Sequence, residues 1–595
     1  MLQRVAGNNK ASIFAFDFNC RSDDKTIEKN VASIWIASIK GDGEETVVED
    51  ISAFVDRIVE LSVKSSICLY CFDLGFHWSF IFYELLRRGF QFSKSINQKS
   101  KDRFTAFSNP RTGVTYSAAI KPTKGGMIFF KDFKAIYTGY KTVPDMAAAF
   151  HYEGKFFPED FSKVHKPGKL TDEEKVTSLS KVSFIFEVLK AHEKDPQFFR
   201  SFTLASYSIK SAIRKSCGWA GGSQYAVYRS EKLYPKITNP GEIEALRLSV
   251  KGGLTGPTIS AIDQGFYIDK PIFVVDRTQA YPSIMAFEKL PRGTGEYFAG
   301  FRPMSPGSIN LYHVIIKSFD DVKMHSLPGL MQAHKHFLTR SDEPVDLWIW
   351  EPEFYILPSF YENVEAEVIE GFSYRCGISP FKQYIIENQE KRKEAEEKGD
   401  RISAGHYKFL NVSLYGKLIQ KNSKQTTEEY LDDDGLLTVK VKDREEEKEA
   451  AYVYLPAGSA IPAFARVNNL LLALRFGLEN VLYIETDALI VEDNEKTRSV
   501  LNSMDLSHDL GHYHLEAHAK RAYFPMAKRY KYEKDDGETV VKGAGLSLQP
   551  IAAGKGFDEI KIDDTVVEMR QKHRAPGGII MTKINKKLKK TEVEK

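Results

Sequence analysis

The chain has 595 residues, of which 42% are hydrophobic and 27% are charged, and its formal net charge is +3. This length exceeds one hydrophobic core, so several domains are expected, and the ordinary composition argues against extensive disorder. No apolar run is long enough to predict a membrane span, and the first residues lack the apolar core of a secretory signal. Five scattered cysteines predict no disulfide framework, so a reducing cytoplasm fits best.

The N-terminal third alternates apolar strands with helical patterns, which predicts an α/β domain. Cys68 and Cys71 lie in one such run, ICLYC. A buried strand is favoured there over a metal or redox pair, because no second cysteine pair completes a site. A mainly helical stretch is predicted from about Leu170 to Arg214.

Two apolar segments deliver carboxylates from distant parts of the chain. In IFVVDRTQAYPSIM, Asp276 ends a β-branched run before a helix that begins near Pro282. In VLYIETDALIV, Glu485 and Asp487 are predicted to share one face of a single strand. If Asp276 lies on a neighbouring strand, the cluster can hold two hard divalent cations for a phosphoryl displacement. Taken alone, each segment fits a salt-bridged acid at a strand end equally well.

A third segment, HYKFLNVSLYGKL, closes a long charged helical hairpin. On a helix, Lys408 and Tyr415 share one face, and Gly416 is predicted to end the helix as its C-cap. A lysine directed at an acidic metal site is expected where a triphosphate binds. The polar segment that follows predicts a β-hairpin that turns at Asp434-Gly435.

In chain order, D…YPS, K…SLYG and Y-x-x-T-D resemble motifs A, B and C of the family B DNA polymerases, with the spacing of the protein-primed branch of bacteriophages and linear plasmids. VKGGLTG resembles the link between nuclease and polymerase domains in that branch, with Val250 where Tyr is usual. LGHYHLEAHAKRAYFPMAKRYKY resembles its segment ending in K-x-Y, and VKGAGL and PGGII resemble its palm-to-thumb region. The resemblance therefore spans nearly the whole chain.

This resemblance implies a multidomain α/β and α+β architecture, in which a ribonuclease H-like exonuclease-type domain precedes a right-hand polymerase with two insertions. The implied segments are an exonuclease-like domain, 1–210; the first part of the palm, 211–289; an insertion that would contact a terminal protein, 290–380; the fingers, 381–417; an insertion for processivity and strand displacement, 418–451; the second part of the palm, 452–543; and the thumb, 544–595. The implied partners are a DNA primer-template, dNTPs and a terminal protein primer. The chain would act as a monomer in the host cytoplasm and would not bind a membrane.

The resemblance also implies two Mg²⁺ ions per active site, replaceable by Mn²⁺, and a set of residue roles. Asp276 and Asp487 would be the catalytic metal ligands, helped by the backbone carbonyl of Arg277. Tyr281 would exclude a ribose 2′-hydroxyl from the nucleotide site. The other roles are triphosphate binding by Lys408 and by Arg392 or Lys391, packing against the nascent base pair by Tyr415, and primer binding by Lys528 and Tyr530.

The chain departs from the family pattern at two motif positions. Motif C usually opens with Asp, where this chain has Glu485, so a direct metal contact is not assigned to that side chain. In motif B the expected Asn is Val412, and Asn411 lies one place early, which removes a hydrogen-bonding group near the nucleotide. Neither change removes a required metal ligand, so an active polymerase is expected.

The N-terminal domain resembles a 3′–5′ exonuclease domain that has lost its carboxylates. At the motif positions the chain has Asp17, Asn19 in place of Glu, Asp73 in place of Asn, His77 in place of Asp, Thr177 in place of Tyr and Lys181 in place of Asp. An ammonium group in a metal site repels the cations that the site should bind, so no proofreading is expected. The competing hypothesis is an altered one-metal site built from Asp17 and Asp73.

Two other functional classes compete with an active DNA polymerase. One is a non-catalytic nucleic-acid-binding protein with a decaying palm, which the presence of Asp276, Tyr281, Lys408 and Asp487 argues against. The other is an RNA-synthesising or reverse-transcribing enzyme on the same palm, and the bulky Tyr281 disfavours ribonucleotide addition.

Overall fold

The structure is a computed structural model. It describes residues 11–21, 33–93, 102–108, 115–137, 140, 142–150, 152–157, 170–193, 195–217, 224–325, 337–338, 343–421, 423–431, 433, 437–448, 450–543, 555–562, 566–575, 578–587 and 593–594. The predicted turn at Asp434-Gly435 lies outside these residues. Within them, no helix combines the length and the apolar character needed to cross a membrane.

The N-terminal part is built on an eight-stranded sheet with the order β3-β2-β1-β4-β8-β7-β6-β5. Its strands are β1 Ser12–Arg21, β2 Ser33–Gly41, β3 Glu44–Val48, β4 Ile67–Cys71, β5 Gln91–Phe92, β6 Arg103–Ser108, β7 Thr115–Lys121 and β8 Ile128–Asp132. The parallel neighbours β1, β4 and β8 form its apolar centre. Cys68 and Cys71 are buried free thiols in β4, so the predicted buried strand is confirmed.

Helices cover this sheet and lead into the second half of the chain. They are α1 Ile51–Ser62, α2 Leu74–Arg87, α3 Val143–Ala149, α4 Asp172–Ala191, α5 Pro196–Phe199 and α6 Leu204–Ser216. Thr171 and Glu174 form a capping box that starts α4, because each side chain accepts a hydrogen bond from the backbone N–H of the other. The helical stretch predicted between Leu170 and Arg214 is confirmed.

The chain then enters the first part of a second sheet. Its elements are α7 Gln224–Tyr228, α8 Pro240–Ser249, β9 Thr255–Pro257, α9 Ile259–Asp263, β10 Tyr267–Ile268, β11 Ile272–Arg277 and α10 Ala280–Phe287. A separate antiparallel sheet of order β12-β16-β13-β15 follows. This insertion contains β12 Lys289–Ala299, β13 Ser308–Ser318, β14 Phe337–Leu338, β15 Val345–Trp350, α11 Glu351–Phe360 and β16 Glu365–Ile378.

Two long helices, α12 Lys382–Glu397 and α13 Arg401–Leu418, form the predicted helical hairpin. The prediction that Gly416 caps the second helix is wrong, because α13 continues to Leu418. The side chains of Leu414 and Leu418 are fully buried. Their burial outweighs the cost of about 1 kcal/mol for a glycine inside a helix. A two-stranded hairpin, β17 Ser423–Leu431 and β18 Leu437–Lys448, comes next.

The last part returns to the second sheet, called the palm sheet below, whose order is β23-β22-β21-β11-β20-β19-β9, with β10 paired to β21. Its remaining elements are α14 Leu455–Phe476, β19 Val481–Glu485, β20 Ala488–Glu492, α15 Glu495–Asn502, β21 Tyr513–Met526, β22 Arg529–Lys534 and β23 Thr539–Gly543. The C-terminal strands are β24 Val566–Ala575, β25 Gly578–Lys587 and β26 Val593–Glu594, of which β24 and β25 form a hairpin and β26 pairs with β14.

Helix α13 packs directly into the core of the N-terminal part. Leu410 is buried among residues of that core, and the Ser208 hydroxyl donates a 2.6 Å hydrogen bond to the Leu410 carbonyl. The His406 ring, 7% exposed, lies 5.0 Å from the His192 ring and 5.6 Å from the Tyr137 ring. We call this region the nuclease–fingers seam. It joins the helical hairpin to the N-terminal part through buried aromatic rings.

Acid is expected to weaken the nuclease–fingers seam. Burial lowers the pKa of His406 to about 3 and that of His192 to about 4, below the ordinary 6.5. The folded chain therefore keeps both rings neutral, while the unfolded chain binds protons near pH 6.5. Their contribution to stability is complete above that pH and is lost as the pH falls toward the folded values.

His406→Phe removes one of these titrations while keeping a flat ring. On acidification from about pH 7.5 to about pH 5, the variant should lose about 2 kcal/mol less unfolding free energy than the parent chain, as urea titrations at the two pH values would measure. His512→Phe, at a position whose side chain is 41% exposed, is the control and should follow the parent. Equal losses in the parent and His406→Phe would contradict the buried neutral ring.

Candidate active site

The centre of the palm sheet brings motifs A and C together. Strand β11 lies between β20 and β21, and Asp276 pairs with Ala488 on one side and with His514 on the other. Asp487 immediately precedes Ala488, and its carbonyl accepts a 2.9 Å hydrogen bond from the Arg277 N–H. The two aspartates therefore lie at the same end of neighbouring strands, although 211 positions in the sequence separate residues 276 and 487.

The prediction that Glu485 and Asp487 share one face of a single strand is wrong. Strand β19 ends at Glu485, which pairs with Ala488 at the start of β20. Thr486 and Asp487 form the two-residue turn between these strands. The apolar residues on both sides of the acids therefore belong to two paired strands, and the polar centre of the run is their turn. Asp487 is carried at the tip of a hairpin.

The turn of this hairpin is packed on one side and hydrogen-bonded on another. A Cβ atom on Gly253 would lie 2.6 Å from Thr486 Cγ2, so only glycine allows the loop to come this close. Asn469 Nδ2 donates a 3.1 Å hydrogen bond to the Thr486 carbonyl, and the Tyr513 hydroxyl donates to Asn469 Oδ1 at 3.0 Å. These contacts fix the position of Asp487.

A buried ion pair holds the loop that contains Gly253. The side chains of Arg466 on α14 and Glu353 on α11 are 1% and 4% exposed, and Nη2 lies 2.7 Å from Oε1. Arg466 Nη1 also donates to the carbonyls of Lys251 and Gly252, at 3.0 and 2.6 Å. The guanidinium group therefore neutralises Glu353 and binds the loop with its remaining donors.

A cleft of about 590 Å³ contains both aspartates and is called the palm cleft below. Its lining combines acidic, basic and polar side chains. They are Asp276, Thr278, Gln279, Arg392, Lys408, Glu485, Asp487, Ala488, His508, His514, Glu516, Lys528, Tyr530, Lys542 and Gly543. Six of the predicted polymerase residues line this cleft, namely Asp276, Asp487, Arg392, Lys408, Lys528 and Tyr530. Arg277, Tyr281, Lys391 and Tyr415 do not line it.

Without a bound cation, the three carboxyl groups Asp276, Asp487 and Glu485 of the palm cleft ionise less readily than ordinary carboxyl groups. Burial, together with the neighbouring carboxylates Asp487 and Glu516, raises the pKa of Asp276 to about 7. Burial also raises the pKa values of Asp487 and Glu485, although the nearby ammonium groups of Lys408 and Lys528, respectively, oppose these shifts. A bound cation would offset the burial and the mutual repulsion that raise these pKa values.

The donors of the palm cleft fit a hard divalent ion. Among the described residues, no group of three or more His, Cys, Asp or Glu side chains is arranged to hold a metal by itself. Mg²⁺ usually binds through one or two carboxylates and completes its coordination with water and substrate phosphate oxygens. Asp276 and Asp487 fit that pattern. The metal contact assigned to the Arg277 carbonyl stays a prediction.

The helical hairpin brings two basic side chains to the palm cleft. Lys408 on α13 and Arg392 on α12 both line it, and Arg392 Nε donates a 2.8 Å hydrogen bond to Glu396. The structure does not bring Lys391 there. The Lys391 ammonium group lies 5.8 Å from the centre of the Tyr407 ring. The Lys391 side chain lines a separate cavity of about 780 Å³ at the nuclease–fingers seam. Successive helical residues point about 100° apart, which separates Lys391 from Arg392.

Tyr281 and Tyr415 are in contact, with ring centres 4.8 Å apart. Tyr281 lies in the first turn of α10, directly after the motif A strand, and its hydroxyl accepts a hydrogen bond from the Gly253 N–H. Both rings are half-buried beside the core formed by α10, α13 and α14. The loop that supports Asp487 therefore also orients the Tyr281 side chain.

Lys528 and Tyr530 reach the palm cleft from the turn between β21 and β22 and from β22. Lys528 has a positive φ of 57°, and its N–H donates a 2.7 Å hydrogen bond to the Tyr483 hydroxyl. The Tyr530 ring is 6% exposed and lies 4.8 Å from that of Tyr483. Tyr483 of the motif C strand thus positions both residues of the K-x-Y segment.

Several lining residues had no signal of their own in the sequence. Gln279, at a positive φ of 49°, donates an amide hydrogen bond to Gln389 on α12 and so joins motif A to the fingers. Glu516 on β21 and Lys542 on β23 form an ion pair of 3.5 Å. Burial and the neighbouring His508 lower the pKa of the other lining histidine, His514. Only the order of the strands brings these residues to the cleft.

The motif B departure has a structural explanation. Asn411 is fully buried between the two finger helices, where its Nδ2 donates to the Ile385 carbonyl at 3.1 Å and its Oδ1 accepts from Asn388 at 3.0 Å. Val412 is 44% exposed and does not line the palm cleft. Asn411 therefore fastens the hairpin and does not replace the expected Asn at the nucleotide.

Comparison with known protein families identifies one that matches the sequence of this chain. The family described as DNA polymerase type B, organellar and viral, matches residues 179–502, more than half of the chain. The chain belongs to this family. The DNA polymerase of Bacillus phage B103 is 27% identical over 377 residues, 59% of this chain and 63% of that protein. That of Streptococcus phage Cp-1 is 25% identical over 347 residues, 55% of this chain and 58% of that protein. The chain thus matches less than two thirds of the length of these relatives.

The predicted fold of the type B polymerases is confirmed. The structure of Phi29 DNA polymerase complexed with primer-template DNA matches with a TM-score of 0.80 at 20% identity, over 97% of this chain and 100% of that one. A ternary complex of Phi29 DNA polymerase with primer-template DNA and incoming nucleotide substrates gives a TM-score of 0.79 at the same identity. The N-terminal part corresponds to an exonuclease domain, and the palm, fingers and thumb follow it.

The exonuclease-like part of this chain holds its remaining motif carboxylate, Asp17, in an internal network. His77 Nε2 lies 3.0 Å from Asp17 Oδ1, and Lys181 Nζ lies 3.5 Å from Asp17 Oδ2. Lys181 also donates a 3.1 Å hydrogen bond to Asn19 Oδ1. Burial alone would raise the pKa of Asp17, but Lys181 and His77 outweigh it and hold that pKa below its usual value.

The other two motif positions have local structural roles. Asp73, at a positive φ of 72°, caps α2 by accepting a hydrogen bond from the Phe76 N–H. Thr177 is buried, and its hydroxyl accepts one from the Phe157 N–H at 3.0 Å. Asp132, which no motif indicated, accepts a 3.2 Å hydrogen bond from the Asp73 N–H. Burial and Asp73 raise the pKa of Asp132 to about 7.

The buried pair of Arg466 and Glu353 gives a test of the architecture beneath the palm cleft. Arg466→Met and Glu353→Leu should each lower the unfolding free energy by about 3–5 kcal/mol, because each leaves an uncompensated buried charge. The double variant should lose less than the sum of the two, as urea titrations would measure. Additive losses would show that the two groups do not interact. Arg475→Met, at an exposed position on the same helix, is the matched control.

Proposed function

We propose that this chain is a DNA-directed DNA polymerase that transfers nucleotides from dNTPs to a primer 3′-hydroxyl, with two divalent cations assisting the transfer. The observation that carries the proposal is that Asp276 on β11 and Asp487 in the turn before β20 meet in one cleft, which Lys408 and Arg392 also line. Membership of the type B family supports it. The acids suit cations, and the basic groups suit the phosphates those cations would bind.

The residues of the palm cleft and the pair of Tyr281 and Tyr415 have separate tasks in this reaction. Lys408 and Arg392 bind the triphosphate, and their positive charge stabilises the pyrophosphate that leaves. Tyr281, braced by Tyr415, closes the space beside the sugar C2′ atom, so a ribose hydroxyl is excluded by contact. Mg²⁺ held by Asp276 and Asp487 would supply stabilisation of negative charge on the reacting phosphate oxygens.

Lys528 and Tyr530 bind the primer strand beside the acids. The Lys528 ammonium group attracts the phosphate backbone, an interaction that weakens as salt rises. The Tyr530 ring, packed on Tyr483, gives the strand a rigid wall. Phi29 DNA polymerase, which shares the fold, is described in complex with primer-template DNA, and this supports the proposed role.

Primer extension by the purified chain tests the polymerase directly. With dNTPs and Mg²⁺, Asp487→Asn should reduce the extension rate by at least about 100-fold, because it removes charge that holds a cation worth several kcal/mol of stabilisation. Asp505→Asn is the matched control, because the Asp505 side chain is 86% exposed and lies outside the palm cleft. Retained extension in Asp487→Asn, or extension by the parent with NTPs as fast as with dNTPs, would contradict the proposal.

We propose further that initiation is protein-primed and that the two insertions have separate tasks in replication. The insertion of residues 290–380 would contact a terminal protein whose hydroxyl group acts as the first primer. Its surface supports a protein partner, since Tyr297, Phe301, Met304 and Tyr355 are between 47% and 69% exposed. The hairpin of β17 and β18, in the insertion of residues 418–451, would assist processivity and strand displacement by a polymerase that acts as a monomer.

The same chain is proposed to lack proofreading. The Lys181 ammonium group lies where the family pattern requires a carboxylate, and it already neutralises Asp17. A cation entering this site would have to displace a buried ion pair and would meet a like charge. The exonuclease-like part therefore supports α13 by packing against it, and it guides the single-stranded template.

An exonuclease assay on end-labelled single-stranded DNA tests this loss. Under conditions in which the chain extends primers, neither Mg²⁺ nor Mn²⁺ should support shortening from the 3′ end. Asp17→Ala should leave the result unchanged. Metal-dependent shortening that Asp17→Ala abolishes would instead establish the altered one-metal site built from Asp17 and Asp73.

A further inference from the structure

His514 lies beside the catalytic aspartate of motif A. It pairs with Asp276 across the ladder between β21 and β11, and its side chain is 15% exposed. His514 Nε2 and Asp276 Oδ2 are 3.8 Å apart. This distance is too long for a hydrogen bond, so the two atoms face each other without a direct bond.

The second nitrogen of the His514 ring is already engaged. Nδ1 lies 3.2 Å from the hydroxyl oxygen of Thr278, which is two residues beyond Asp276 and is 7% exposed. When Nδ1–H donates to this oxygen, the lone pair of Nε2 points toward the Asp276 carboxylate. Histidines that bind metals have this arrangement, because a hydrogen bond from one nitrogen leaves the other free for the ion.

In this tautomer the lone pair of His514 Nε2 and the Asp276 carboxylate repel each other unless a proton or a metal cation lies between them. Nitrogen and oxygen ligands bind first-row divalent ions at about 2.0–2.2 Å, so two ligands of the same ion lie up to about 4 Å apart. The 3.8 Å separation of His514 Nε2 and Asp276 Oδ2 falls within that span. The pair is thus preorganised to share an ion that completes its coordination with water and substrate oxygens.

We propose that His514 is a direct ligand of the divalent cation bound by Asp276, and that this chain therefore selects transition-metal ions over Mg²⁺. The inference rests on the proposed polymerase site and adds a nitrogen donor to it. Mg²⁺ takes oxygen ligands, whereas imidazole is a common ligand of first-row transition metals. Mn²⁺ and, more strongly, Co²⁺ should gain affinity from this donor in the order of that series.

Pulsed electron paramagnetic resonance of the full chain with substoichiometric Mn²⁺ tests the contact without any reaction. The electron spin echo of the parent should carry the nitrogen modulation of a coordinated imidazole. The modulation should vanish in His514→Ala and persist in His512→Ala. His512 is the matched control because it lies two residues away, pairs with Asp505 and does not line the palm cleft.

A second variant keeps the imidazole and alters only its orientation. Thr278→Val removes the hydroxyl group that fixes the ring, so Mn²⁺ affinity should fall about tenfold, the scale expected for loss of such a partner. Thr278→Ser should restore it. Absence of nitrogen modulation in the parent, or its persistence in His514→Ala with a parent-like circular dichroism spectrum, would overturn the proposal.

Primer extension separates this inference from the polymerase proposal. The ratio of extension rates in Mn²⁺ and Mg²⁺ should fall about tenfold in His514→Ala relative to the parent, while His512→Ala keeps the parent ratio. An unchanged ratio would contradict the nitrogen ligand alone. Failure of the parent to extend a primer in either metal would contradict the polymerase, whatever the nitrogen modulation shows.

Discussion

The arrangement of the palm cleft depends on a buried guanidinium group. Arg466 is 1% exposed and joins three distant segments, namely its own helix α14, Glu353 in the insertion and the loop of Lys251 and Gly252. The next residue of that loop, Gly253, packs against the turn that carries Asp487 and donates a hydrogen bond to Tyr281. An ion pair outside the cleft thus sets the positions of a proposed metal ligand and of the proposed sugar-excluding ring. Removing either partner would leave a charge in the core, which makes the constraint strong.

The chain contains two clusters of carboxylates with opposite electrostatic outcomes. In the palm cleft, burial and mutual repulsion raise the pKa values of Asp276, Asp487 and Glu485, so the acids favour an added cation. In the exonuclease-like part, Lys181 lies within 3.5 Å of Asp17 and lowers its pKa. The internal ammonium group of Lys181 supplies a positive charge beside Asp17. The same physical rule therefore supports cation binding at one site and its loss at the other.

The exonuclease-like part remains coupled to the polymerase through packing. Helix α13 carries Lys408 toward the palm cleft on one face and inserts His406 and Leu410 into the nuclease–fingers seam on another. This contact gives the domain a structural role that does not depend on nuclease chemistry, because deleting the domain would expose the buried side of α13. The position of Lys408, the proposed triphosphate ligand, thus depends on packing against a domain that does not line the palm cleft.

The sequence alone determined the strand that carries Asp276, the helical hairpin of the fingers and the departures from the carboxylate pattern of exonuclease domains, because apolar periodicity and residue type are local properties. It did not determine that Glu485 and Asp487 flank a turn, since a paired hairpin and a single apolar strand have the same residue pattern. Nor did it show that α13 continues past Gly416, because burial of Leu418 decides that end. Only the tertiary structure brought His514 beside Asp276, since strand order in a sheet is set by long-range packing and leaves no mark in the spacing of residues.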